Sequence, residues 1–188
     1  MTDTELSGRR ILAIVSNYGV EQDELKVPMQ HLTDAGARVA VAAVEKGTIQ
    51  TLVGDKDPGE TFEPTSTLDQ VDPAAYDLLL IPGGTINADT LRQQEAAVAI
   101  TRSFIEAGRP TAAICHGPWT LVETGALTGK RLTSYASLQT DVRNAGGEWV
   151  DEPVVVDGEG WPLVTSRSPK DLPDFTAGID RVLTAVPA

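Results

Sequence analysis

Ala112-Ala113-Ile114-Cys115-His116-Gly117-Pro118 joins a short apolar strand to a cysteine, a glycine and the start of a helical pattern. The strand, Thr111 to Ile114, shows no polar alternation, which is the mark of a parallel sheet covered on both faces. Three other runs have the same character: Ile11-Leu12-Ala13-Ile14-Val15, Val39-Ala40-Val41-Ala42-Ala43 and Asp77-Leu78-Leu79-Leu80-Ile81. Helical patterns lie between them. Glu21 to Ala35 leads to Gly36, Gln94 to Ala107 leads to Gly108, and Trp119 to Thr124 leads to Gly125. Each glycine stands where a helix C-terminus favours one. Pro28 falls inside the first pattern and is expected to kink that helix or move its start. The repeated strand–helix order predicts an open, doubly wound α/β fold. Val44 to Val71, rich in Thr, Gly, Asp and Pro, predicts a hairpin and loops instead. Val154 to Gly158 and Leu163 to Thr165 predict a second hairpin, with Ser168 then capping a last helix whose first position is Pro169.

A length of 188 residues suits one domain, expected over 1–188 with its core in 8–185. The net charge of −12 disfavours phosphate backbones and anionic membranes, so neither nucleic acid nor membrane is an expected partner. The single cysteine excludes an internal disulfide. Met1 to Gly8 lacks the basic flank and apolar stretch of a signal peptide, and no apolar run approaches the roughly 20 residues that span a bilayer. A cytoplasmic location is the expectation. Two histidines, His31 and His116, and one cysteine give no metal-site spacing, and no Gly-Lys-Ser/Thr phosphate loop is present. No metal or cofactor is expected.

The turn after Ile114 has the outline of a nucleophile elbow, in which a tight strand-to-helix turn lifts a side chain above the sheet edge. A helix start beside the thiol would lower its pKa and expose it to peroxide. A cysteine buried only for packing is the alternative. His116 either supplies an acid/base group or packs beside the elbow, with its backbone N–H available to an oxyanion. Pro82-Gly83-Gly84 follows another strand at the same sheet edge and is either a plain turn or a place where backbone N–H groups meet an oxyanion. Glu21-Gln22-Asp23-Glu24 opens the first helix at that edge. These acids either complement the helix dipole at the surface, or one of them, protonated, donates a hydrogen bond to the sulfur.

On Ala113-Ile114-Cys115-His116-Gly117-Pro118 the chain resembles the PfpI family of intracellular cysteine peptidases, within the Parkinson disease protein seven superfamily on a class I glutamine-amidotransferase-like fold. Further matches are Val20-Glu21, Glu24-Leu25, Leu80-Ile81-Pro82-Gly83-Gly84, Leu132-Thr133-Ser134-Tyr135, Asn144 to Asp151 and Val154 to Gly158. The resemblance implies a flavodoxin-like sandwich, a mostly parallel sheet with helices on both faces plus small hairpins. It implies Cys115 as nucleophile, Glu24 bonded to its thiol, Glu21 as a second acid, and His116 as the catalytic histidine. It also implies an acid supplied by a neighbouring subunit just after Gly84. Asp89 matches that position across one extra residue, and the chain is then expected to form dimers or higher homo-oligomers. Members of the family are described as peptidases, as glyoxalases that need no glutathione, as protein deglycases, and as chaperones or redox-responsive stress proteins. The leading expectation is a stress-protection enzyme acting through Cys115 on reactive carbonyls such as methylglyoxal or on glycated proteins, with Gly83, Gly84 and the backbone near His116 holding the oxyanion. A peptidase using the same residues, or a non-enzymatic sensor that records Cys115 oxidation, is the alternative.

Overall fold

The fold is that of a computed structural model, described over residues 6–185. Its first half runs β1 (Arg10–Val15), β2 (Tyr18–Glu21), α1 (Gln22–Asp34), β3 (Arg38–Ala43), β4 (Ile49–Val53), β5 (Asp57–Phe62), β6 (Ser66–Thr67), β7 (Leu78–Ile81), α2 (Thr85–Arg92) and α3 (Glu95–Glu106). The second half runs β8 (Thr111–Ile114), α4 (Pro118–Thr124), β9 (Arg131–Leu132), α5 (Gln139–Asn144), β10 (Glu148–Trp149), β11 (Val154–Asp157), β12 (Leu163–Ser166) and α6 (Leu172–Ala185). The central sheet has the order β11-β12-β8-β7-β1-β3-β6. All its pairings are parallel except β11 with β12.

The unbroken apolar strands are explained by a helical layer on each face. Along β1 the side chains alternate between two cores. Ile11, Ala13 and Val15 pack with Leu25 and Leu32 of α1 and Phe175, Ile179 and Val182 of α6. Leu12 and Ile14 pack on the other side with Leu91 of α2, Ile100 and Phe104 of α3, and Leu121 of α4. Burying a leucine or phenylalanine of this kind contributes about 1.5–3 kcal/mol, so strand and helix patterns specify each other.

The chain leaves β1 in both directions: β3 lies on one side, and β7, β8 and β12 on the other. This reversal opens a crevice at the carboxyl ends of β1 and β7, the position where doubly wound sheets take ligands. Two departures from the expected elements bear on it. Pro28 neither kinks α1 into two pieces nor moves its start, because the helix runs from Gln22 to Asp34 with Pro28 itself buried. Packing of Leu25 and Leu32 on either side holds the turn whose backbone bond proline removes. The Gly83-Gly84 turn leads directly into α2, a helix whose single turn of apolar residues is too short to stand out in the sequence. Small sheets add to the main one. In one, β2 pairs with β4, and β4 forms a hairpin with β5. Ser168 precedes a single 3-10 turn rather than α6 itself and makes no side-chain cap. Among the described residues no helix is long and apolar enough to cross a membrane.

Candidate active site

Cys115 follows β8 with φ of 61°, a left-handed conformation that costs a non-glycine residue about 1–2 kcal/mol. Three backbone bonds hold it there. Cys115 N–H donates to Ser166 O at 3.0 Å, Tyr135 N–H donates to Cys115 O at 2.8 Å, and Gly117 N–H donates to Ile114 O at 2.8 Å. Backbone strain of this kind, maintained by its surroundings, clusters at active sites and ligand clamps in proteins generally. The sulfur lies 3.2 Å from His116 Nδ1. Adjacent side chains ordinarily diverge; the turn at Cys115 is what brings these two together.

Glu24 enters from α1 and is fully buried. Its Oε2 accepts from Gly83 N–H at 2.8 Å, and Oε1 has no hydrogen-bond partner among the described residues. Burial pushes the carboxyl up to about 8, against the opposing pull of the Gly83 bond and the thiol. Glu24 is therefore mostly protonated at neutral pH. Burial, and then Glu24, push the Cys115 thiol up as well, while the N–H groups of Gly84 and His116 pull the other way. This reverses the expectation of a depressed thiol: the start of α4 is close, but loss of water outweighs it. Burial also holds His116 below the ordinary imidazole range, with Asp55 working in the opposite direction. At rest the site holds a thiol, a carboxylic acid and a neutral imidazole. In such a set Nδ1, 3.2 Å from the sulfur, is placed where it can accept the thiol proton.

The glycines leave no room for side chains. A Cβ on Gly83 would stand 2.6 Å from Glu24 Oε2, 2.7 Å from Cys115 Cβ and 2.8 Å from His116 N. Gly84, with φ of 87°, lies against the backbone of Gly19 and Glu21. The three expected oxyanion donors divide here. The N–H groups of Gly84 and His116 favour the ionised sulfur, whereas that of Gly83 is engaged by Glu24. Asn87 pins the turn by donating to Pro82 O and Gly83 O at 3.1 and 3.0 Å.

Glu21 does not touch the thiol. Its carboxylate accepts from Gly54 N–H and Asp55 N–H, each at 3.0 Å, and so clamps the tip of the β4–β5 hairpin. Asp89 lies on the exposed side of α2, where it accepts from Arg92 Nε at 3.1 Å and from Gln93. Within this chain it is not among the groups around Cys115. His31 pairs with Asp180 at 2.8 Å on the far side of α1 and takes no part.

A model of the DJ-1/PfpI family matches residues 9–180. The chain belongs to the DJ-1/PfpI family. It is 42% identical over 159 residues to a protein of Thermococcus kodakarensis named deglycase TK1284, covering 85% of this chain and 90% of that one. It is 38% identical over 174 residues to protein/nucleic acid deglycase 2 of Escherichia coli, covering 93% and 98%. The crystal structure of Drosophila melanogaster DJ-1beta superposes with a TM-score of 0.82 at 29% identity, over 95% of this chain and 91% of that one.

In this DJ-1/PfpI protein several groups around His116 lie outside the residues that sequence reading singled out for chemistry. The Tyr135 ring stacks on the imidazole at 4.5 Å and 26°, and Trp119 lies tilted at 5.8 Å. Ser137 Oγ and Thr85 Oγ1 stand 3.3 and 3.4 Å from Nε2. Thr85 is in turn bonded by Asp55. Thr85 and Ser137 carry no motif, and Asp55 sits in a segment whose composition signals only a turn. The one available signal was Gly54-Asp55 itself, a pair suited to positive φ.

Proposed function

We propose that the protein protects against reactive carbonyls, acting through Cys115 on methylglyoxal or on the adducts such carbonyls leave on proteins. The observation that carries this reading is the Cys115 Sγ to His116 Nδ1 approach at 3.2 Å, with a buried, protonated Glu24 beside it. The deglycase names of the two relatives support it.

Sulfur adds to the aldehyde carbon of methylglyoxal while its proton passes through His116 to the carbonyl oxygen, giving a hemithioacetal. The developing oxyanion is met by the N–H groups of Gly84 and His116. Glu24, once it has given its own proton to the ketone oxygen, or His116 then takes the proton of the former aldehyde carbon and delivers it to the neighbouring ketone carbon. The hemithioacetal hydroxyl proton meanwhile returns to Glu24 or passes to the new alcohol oxygen. The first carbon is oxidised to a thioester and the second reduced to an alcohol, so no external oxidant or cofactor enters. Water cleaves the thioester, releasing lactate and the thiol. On a glycated protein the hemithioacetal or aminocarbinol first expels the protein's thiol or amine, which takes the hydroxyl proton and restores the aldehyde carbon, and Cys115 then adds to that carbon as it does to free methylglyoxal. A sensor role is less favoured, because a buried thiol whose ionisation is suppressed reacts slowly with peroxide. The site is taken as cytoplasmic, in a homo-oligomer to which Asp89 contributes across subunits. Steady-state assays with methylglyoxal, a freshly glycated peptide and an unmodified peptide, each beside Cys115→Ala, test the reading. Turnover of the first or second substrate that vanishes in the variant supports it. Turnover of the unmodified peptide alone would assign a peptidase instead.

A further inference from the structure

The hairpin tip reaches the site from a part of the chain with no motif for it. Glu21 of β2 holds Gly54 N–H and Asp55 N–H with its two oxygens. Asp55 adopts φ of 57°, a conformation that aspartate tolerates better than most residues. From there Oδ1 accepts from Thr85 N–H at 2.8 Å and Oδ2 accepts from Thr85 Oγ1 at 2.7 Å. Thr85 Oγ1 is also 3.4 Å from His116 Nε2.

Proton counting decides the direction of this chain of contacts. A carboxylate only accepts, and a threonine hydroxyl has one proton. Thr85 spends that proton on Asp55, so it offers His116 only lone pairs. Nε2 must then carry the ring proton if the contact is to be favourable. Ser137 Oγ, at 3.3 Å from Nε2, accommodates this because a serine hydroxyl can also accept. A neutral imidazole with Nε2–H has a bare Nδ1, and Nδ1 is the atom that faces the sulfur.

We infer that Asp55 is a positioning residue of this same chain, which through Thr85 fixes His116 as the Nε2–H tautomer and leaves Nδ1 free to take the Cys115 proton. The inference rests on the reading of Cys115 as nucleophile and His116 as its base. It assigns Glu21 a function too: the second acid clamps the tip that presents Asp55. The groups facing His116 are Cys115, with Glu24 behind it, from the elbow, Asp55 from the hairpin, and Thr85 from α2. Tyr135 and Ser137 face it from the segment after β9, and Trp119, with Arg92 5.0 Å from its ring, from α4. The negative charge of Asp55 also favours the imidazolium that forms when the thiol proton arrives.

Long-range proton–nitrogen NMR of the histidine-labelled protein reads the tautomer, with His31 and His116 as the histidines to assign. His116 is expected as Nε2–H in the unsubstituted protein. Asp55→Asn keeps an acceptor for Thr85 N–H but offers an amide donor to Thr85 Oγ1. The hydroxyl proton then turns to Nε2, and His116 should switch to Nδ1–H. Iodoacetamide labelling of Cys115 should slow in step, by about 100-fold, the low end of what a positioned base contributes. Thr85→Val should slow labelling likewise, and Thr85→Ser should restore both the tautomer and the rate. A His116 that is Nδ1–H in the unsubstituted protein would overturn the inference, and that spectrum needs no variant to fold. So would an Asn variant with tautomer and labelling rate both unchanged. Neither readout uses a substrate, so failure here is distinct from failure of the carbonyl chemistry.

Discussion

Replacing Glu24 with glutamine should stabilise the protein, and by an amount that depends on pH. Burial raises the carboxyl from 4.5 to about 8 in the folded state. Between those values the unfolded chain releases a proton that the folded chain keeps, so stability falls as pH rises. The favourable contribution is complete below pH 4.5 and is lost progressively up to about pH 8. At about 1.36 kcal/mol per unit, the cost of holding Glu24 protonated is about 3 kcal/mol at pH 7 and about 5 kcal/mol above pH 8. Glutamine has no such cost. Its amide oxygen can accept from Gly83 N–H as Oε2 does, and its NH2 stands in for the acid's O–H. Urea unfolding of both proteins at pH 5, 7 and 8.5 should therefore give a stability difference that grows from under ~1 to ~5 kcal/mol. At pH 7 the melting temperature should rise by roughly 6–12 °C for a chain of this size. Turnover should fall, because an amide cannot carry the proton between carbons. A difference that is constant across this pH range, or a destabilised variant, would refute a protonated Glu24.

Gly83→Ala should lose about 1–3 kcal/mol of stability and most of its turnover, read by urea unfolding and the carbonyl assay, because its Cβ would stand 2.6 Å from Glu24 Oε2 and 2.7 Å from Cys115 Cβ. Labelling of Cys115 by iodoacetamide should keep rising with pH beyond the ordinary thiol value of about 8.5, with no earlier plateau, since burial and Glu24 push the thiol up. Sedimentation at micromolar concentration should show a dimer or larger species, and Asp89→Asn should lower turnover without unfolding the chain; a fully active monomer would remove Asp89 from the site.

The strands and the elbow were legible because their signal is local. Thr111 to Ile114 reads as a strand end to end, and Cys115-His116-Gly117-Pro118 permits little besides a sharp turn into a helix. The helix α2 was not legible. Its start depends on Gly84 at positive φ and on Asp55 capping Thr85 from 30 residues away, neither of which leaves a periodic trace. The thiol's electrostatics failed for a related reason. A helix start beside Cys115 is visible in sequence, whereas the depth to which α1 and the Gly83 turn bury Glu24 and the sulfur is not. Glu21 shows the same limit. Its place beside Glu24 suggests a shared site, yet its partners are two backbone N–H groups of a distant hairpin.

Acid-quenched intact-mass spectrometry during methylglyoxal turnover would show whether Cys115 carries the substrate covalently. A transient adduct of one methylglyoxal on Cys115 is expected, disappearing as substrate is exhausted, with lactate accumulating in many-fold excess over protein. Cys115→Ala should show neither. Lactate formed at an undiminished rate by Cys115→Ala, or turnover with no adduct at any time, would contradict it.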